Sequence, residues 1–191
     1  MNTQQLDSSE NIDIMVVIDT DYIRKNCKNP SQDPNNPSQI DHNCEYMVCN
    51  GKRGVTGQGT ADLAFSANPG DNVHFRGTSI YGNSDDAIII YGITPINPDP
   101  NDDGVFNDFE PSLVQRKGAA VPNLHFGKAR YKDNNIVAEN ITLNFVSYCA
   151  EVKAKGEEGF HIQFALYTLD GDGETQNLFG YFEWDPSISV N

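Results

Sequence analysis

Between Ile141 and Trp184, two runs of the chain place apolar side chains at every second position. Ile141, Leu143 and Phe145 alternate with Thr142 and Asn144; Phe160, Ile162, Phe164 and Leu166 alternate with His161, Gln163 and Tyr167. Successive side chains of a strand point to opposite faces, so a period of two gives one buried face and one wet face. Leu169-Asp170-Gly171-Asp172-Gly173-Glu174 then joins this run to Asn177–Trp184, which predicts a hairpin. A chain patterned this way must fold as sheets.

The N-terminal part carries the same signature in shorter pieces. Ile12–Ile18 is a β-branched run bounded by polar residues, and Cys44–Cys49 is a second strand. Ala61, Leu63, Phe65 and Ala67 alternate. Asn68-Pro69-Gly70-Asp71 is a turn, and Val73–Arg76 and Ala87–Ile93 follow as strands. No segment longer than a few turns has helical periodicity, and there is no internal repeat. The expected fold is all-β, an antiparallel β-sandwich of jelly-roll or immunoglobulin-like type with long polar loops. Residues 1–11 are expected to be a flexible N-terminus and 12–191 a single domain. Long loops are expected at 26–39, rich in Pro and Asn, and from Thr94 to about Lys117.

A chain of 191 residues buries enough surface to fold without a metal or disulfide. Its 27 acidic against 13 basic side chains give a net charge of −14. Such a field repels phosphate backbones and anionic bilayers, so neither nucleic acid nor membrane is expected as a partner. Met1–Asp7 has no basic or apolar run, so a secretory leader is not expected, and a cytoplasmic location is. Cys27, Cys44, Cys49 and Cys149 lack CxxC spacing and read as reduced structural thiols, with Cys149 buried and inert. A secreted form with two bridges is the alternative, and spacing does not choose among its three pairings.

The sharpest motif is Asp99-Pro100-Asn101-Asp102-Asp103-Gly104-Val105-Phe106-Asn107-Asp108-Phe109-Glu110. It fits the twelve-residue calcium-loop pattern, with oxygen ligands from Asp99, Asn101, Asp103, the Val105 carbonyl, Asn107 through water, and Glu110. Pro95, Pro98 and Pro100 forbid an entering helix, so only a stand-alone calcium loop or a self-capped polar connection fits. Ca²⁺ is thus the one candidate cofactor.

Arg76–Asp86 is rich in groups that hydrogen-bond hydroxyls. Arg76, Asn83, Asp85 and Asp86 beside the face of Tyr81 are what a pyranose site uses, although a turn between strands has the same composition. Asp170, Asp172 and Glu174 read as a plain hairpin tip. No GxSxG elbow surrounds Ser79 or Ser84, and His42, His74, His125 and His161 show no metal spacing. No catalytic residue is nominated, and no enzyme activity is expected.

Ile12–Tyr22 (IDIMVVIDTDY), Ser31–Pro37 (SQDPNNP), Val55–Leu63 (VTGQGTADL) and Phe75–Asp85 (FRGTSIYGNSD) together resemble the bacterial PixA/AidA family of inclusion body proteins. The resemblance implies an all-β sandwich made in the cytoplasm. In some members it implies accumulation as crystalline or granular inclusions, with links to quorum sensing or host association. It carries no established activity or catalytic residues, and it does not cover the calcium-like loop. A methionine-rich store fits poorly, since Met1, Met15 and Met47 are the only methionines.

Two functions follow as expectations. One is a non-enzymatic inclusion protein whose partner is itself, as a homo-oligomer or lattice. The alternative is a carbohydrate-binding protein, a lectin assisted by calcium, whose partners are glycans.

Overall fold

The computed structural model describes residues 9–50, 54–96, 104–123 and 138–191. Eleven strands and one helix follow in the order β1 (Asn11–Ile18), α1 (Thr20–Asn26), β2 (Ser38–Gln39), β3 (Glu45–Cys49), β4 (Leu63–Phe65), β5 (Asn72–Ser79), β6 (Ala87–Pro95), β7 (Glu110–Pro122), β8 (Ala138–Glu151), β9 (Gly156–Leu169), β10 (Gln176–Trp184) and β11 (Ser187–Val190). The residues group into two compact units. A larger body holds everything up to Pro111 together with Ser147–Asn191, and a smaller unit spans Ser112–Val146.

The expected all-β class holds, but the antiparallel expectation needs correction, because both sheets are mixed. One has the order β3-β1-β5-β8-β7; the other runs β2-β10-β9-β11-β4, with β6 also on β9. β1 runs parallel to β5, β2 to β10, and β4 to β11. Period-two patterning tells which face of a strand is buried and nothing about the direction of its neighbour. Parallel neighbours need a crossover of a dozen or more residues; between β1 and β5 it runs through the connections on either side of β3.

The second loop is shorter than expected. β6 continues through Pro95, and β7 begins at Glu110, inside the span read as loop. Along β7 no side chain is buried, so neither face carries the apolar alternation that reveals a strand. Of the expected flexible segment 1–11, residues 1–8 lie outside the described residues, while Asn11 already pairs with Asn72.

In β1, Ile12, Ile14, Val16 and Ile18 are buried and alternate with exposed or half-exposed residues. Each contributes roughly 1.5–3 kcal/mol by leaving water. α1 follows at once: Asp19 caps it by accepting the Tyr22 amide at 3.0 Å, and Arg24 and Lys25 sit in its last turn, against the negative helix end. In the body, Phe109 packs edge-on against Phe75 (5.5 Å) and Phe160 (5.3 Å), while Phe164 stacks on Phe182 at 5.6 Å.

Two glycines mark close approaches. A Cβ at Gly77 on β5 would lie 2.5 Å from Ile88 Cδ1 of β6, so this position brings the two sheets together. A Cβ at Gly180 would meet the Pro30 ring at 2.4 Å, where the 26–39 loop crosses β10 and Tyr181 donates its amide to Ser31.

Candidate functional site

The turn between β5 and β6 gathers most of the sugar-site candidates, and its chemistry is spent on itself. Asn83 adopts a left-handed backbone (φ 62°), which asparagine tolerates better than most residues. Its Oδ1 accepts the amides of Ser79 (2.8 Å) and Ile88 (3.0 Å). Ser79 donates its hydroxyl to the Asp86 carbonyl, and Gln176 donates to the carbonyls of Asn83, Ser84 and Asp85. Asp86 is 2% exposed and accepts from Arg24 Nη1 at 3.1 Å, which fastens α1 to the turn. Tyr81 donates to Asp21, whose carboxylate raises the phenol pKa above its ordinary value. Arg76 pairs at 3.0 Å with Asp13 on the neighbouring strand β1. Of the five candidates, Asp86 is buried, whereas Asp85 and Tyr81 are exposed and Arg76 is partly so.

Of the calcium set, Asp99, Asn101 and Asp103 lie outside the described residues. Gly104 has the left-handed φ of +68° that the sharp turn requires. The Val105 carbonyl already accepts the amides of Lys153 (2.7 Å) and Ala154 (3.2 Å). Asn107 donates its amide to the Glu151 carbonyl, and Glu110 opens β7. A cleft of about 880 Å³ lies between the end of β6, Gly104–Phe109 and the start of β9. Its carboxylate Glu158 accepts the amides of Val105 and Phe106, so it braces the cleft wall. No group of three or more His, Cys, Asp or Glu side chains placed to hold a metal occurs among the described residues.

The hairpin tip at Asp170–Thr175 is structural. Asp172 accepts the Thr175 hydroxyl and the amides of Thr175 and Glu174, which hold its carboxyl down to about 2.

Among the described residues no disulfide links Cys27, Cys44, Cys49 or Cys149. Cys149 is half-buried, which corrects the expectation of a buried thiol: on β8 it stands opposite His74 of β5, whose Nε2 is 3.8 Å from its sulfur. A nucleophilic Cys–His couple needs a lowered thiol pKa, whereas burial pushes the Cys149 thiol up. Cys44 goes the same way, because burial and the adjoining Glu45 carboxylate both oppose a thiolate.

Glu45 itself was not singled out by sequence. It is 1% exposed on β3, accepts the Cys44 thiol at 2.9 Å and the Cys44 amide at 3.4 Å, and burial pushes its carboxyl up to about 6. A carboxyl raised on folding holds extra protons in the native state, so stability falls as pH rises from about 4.5 to about 6. Glu45→Gln is therefore expected to stabilise the chain by about 1–2 kcal/mol at neutral pH. The gain disappears below the unfolded pKa. Urea denaturation on both sides of that window checks this; an equal effect at both pH values contradicts it.

The comparisons with known proteins address the whole chain. The family model for PixA, inclusion body protein, matches residues 10–190. The chain belongs to the PixA family. This PixA-family chain is also similar to a solved relative, the inclusion body protein PixA from Burkholderia cenocepacia J2315. The two share 29% identity over 100% of each chain, with a TM-score of 0.78. No curated protein matches the chain.

Proposed function

We propose that this chain is a non-enzymatic PixA-type inclusion body protein that accumulates in the cytoplasm by specific self-assembly. The observation that carries this is the family match over residues 10–190, supported by whole-chain similarity to a solved inclusion body protein. Site chemistry agrees with a protein that does no catalysis. Burial opposes a thiolate at Cys44 and Cys149, and Asp86, Asp172 and Glu158 accept hydrogen bonds that hold turns. No described helix is long and apolar enough to cross a membrane. The two sheets of the body stack as a sandwich in this reading, joined at the Gly77–Ile88 approach and around Phe109. The carbohydrate-binding alternative draws no support from a turn whose amide and carboxylate groups are already bonded internally.

A chain at −14 resists association unless its contacts are specific or bridged by cations. Calcium at the 99–110 loop is one such bridge, supported by the ligand pattern and the Gly104 turn. Sedimentation velocity from about pH 4 to about pH 8, with calcium and with chelator, should show concentration-dependent oligomers. Protein that stays monomeric under all of these conditions overturns the proposal.

A further inference from the structure

His42 stands where the chain passes from one sheet of the body to the other. β2 and β3 belong to different sheets, and His42 lies in the connection between them. Its Nε2 is 3.0 Å from Asp185 Oδ1, in the turn between β10 and β11. Its Nδ1 is 3.9 Å from Asp62 Oδ2, just ahead of β4. β4, β10 and β11 all lie in the sheet to which β3 does not belong. One imidazole thus ties the approach to β3 to two connections of the opposite sheet.

The surrounding bonds fix this arrangement. Asp62 turns its other oxygen, Oδ1, to the Ser187 amide at 3.0 Å, and Ser187 donates its hydroxyl to Glu157 at 2.6 Å. The carboxylate before Nδ1 is therefore anchored to β11. On the chain side, Asp41 accepts the Tyr22 hydroxyl of α1 at 2.8 Å and the Asn43 amide at 3.2 Å. The Cys44 carbonyl accepts the Asp19 amide at 2.8 Å. The charged groups that act on the ring are acidic: Asp41 and Glu45 in its own segment, with Asp62 and Asp185 across from it.

A carboxylate can only accept, and a neutral imidazole carries a single N–H. With a carboxylate before each ring nitrogen, the neutral ring serves one and turns a lone pair towards the other. The imidazolium serves both and sets a positive charge among acidic neighbours. We propose that His42 is a proton-operated clasp between the two sheets, closed when the ring is protonated and loosened when it is neutral. The bond to Asp185 raises the His42 pKa above its ordinary value; Asp62 and Glu45 add to this, and partial burial opposes it. A histidine raised on folding stabilises fully below its unfolded pKa, and that stability is lost as pH rises through the folded one. The clasp is therefore closed in mild acid and opens as pH rises past the ordinary histidine range. Glu45, whose carboxyl is pushed up to about 6, takes its native proton over a lower window. The same short segment thus gathers two protons in sequence as pH falls. Nothing in this depends on self-assembly.

The test is an NMR titration of the full chain, following the His42 ring signals and the Ser187 amide, each assigned by connectivity. The ring should titrate above the ordinary histidine value, and Asp185→Asn should bring its midpoint down. The Ser187 amide, which reads Asp62, should shift with the midpoint of the ring and lose that step in His42→Gln. Stability gives a second readout, taken in the Glu45→Gln background so that only the histidine titrates in the window. Between about pH 6 and about pH 8 the unfolding constant in urea should rise about two- to fivefold more than in the same chain with His42→Gln added, the range for a partly exposed ion pair. A ring that titrates at or below the ordinary value, or a Ser187 amide that ignores it, overturns the clasp, and both are read on the parent chain. An unfolding constant with the same pH dependence with and without His42 overturns it as well.

Discussion

Phe164→Ala should lower the unfolding free energy by about 3–5 kcal/mol, the range for emptying a packed aromatic site. Phe164 on β9 is fully buried, stacks on Phe182 at 5.6 Å and meets Trp184 edge-on at 5.9 Å. It also lies on the strand to which β6 and β10 are both bonded, opposite Ile90 and Phe182. Neighbours held on two sides by a hydrogen-bonded ladder cannot collapse far into the space left, which places the cost high in the range. Phe164→Leu, which keeps most of the volume, should cost clearly less. The measurement is urea unfolding followed by Trp184 fluorescence. A loss under about 1.5 kcal/mol for the alanine variant would mean that the site is not packed as described.

Arg24→Met should cost about 2–3 kcal/mol, although Arg24 is half in solvent and far from the apolar core. Its effect is on Asp86, whose side chain is 3% exposed and whose described cation is Arg24 at 3.1 Å. Breaking a buried pair from the cation side leaves an uncompensated charge. The figure stands below that for a fully buried pair because the guanidinium gains little by leaving water. Asp86→Asn in the Arg24→Met background should recover most of the loss, since it removes the stranded charge. A double-mutant cycle reads this directly. Additive losses would show that α1 and the β5–β6 turn are not coupled through this pair.

These two positions were unequally visible in the sequence. Phe164 stands out because the Phe160–Leu166 run alternates, and alternation is local. Asp86 was noticed as a polar residue in a turn, but its role depends on Arg24, sixty-two positions away. Glu45 shows the same limit: inside Cys44–Cys49 nothing distinguishes a wet carboxylate from one that is 1% exposed. β1, β9, β10 and their hairpin were legible for the reason Phe164 was. β7 was not, because a strand with two wet faces has no periodic signal. α1 was not, because seven residues are too few for a helical period, although the Asp19 cap and the Arg24-Lys25 ending were there to be read. The four segments that suggested the family fall on most of β1 and the start of α1, the loop before β2, the first residue of β4, and the later part of β5 with the turn that follows it. The family was therefore more legible than its topology.

The pairing of β4 with β11 has a consequence in time. Leu63–Phe65 is made early, yet it bonds to Ile188–Val190, near the end of the sequence. At a synthesis rate of about 5–20 residues per second, β4 waits on the order of ten seconds with its edge unfilled. Contacts this distant along the chain also close slowly once both partners exist. The species most open to mispairing during synthesis is therefore the unfinished chain. Its excess of carboxylates keeps neighbouring nascent chains apart while those edges wait, so the acidity of this protein protects it most before it is folded.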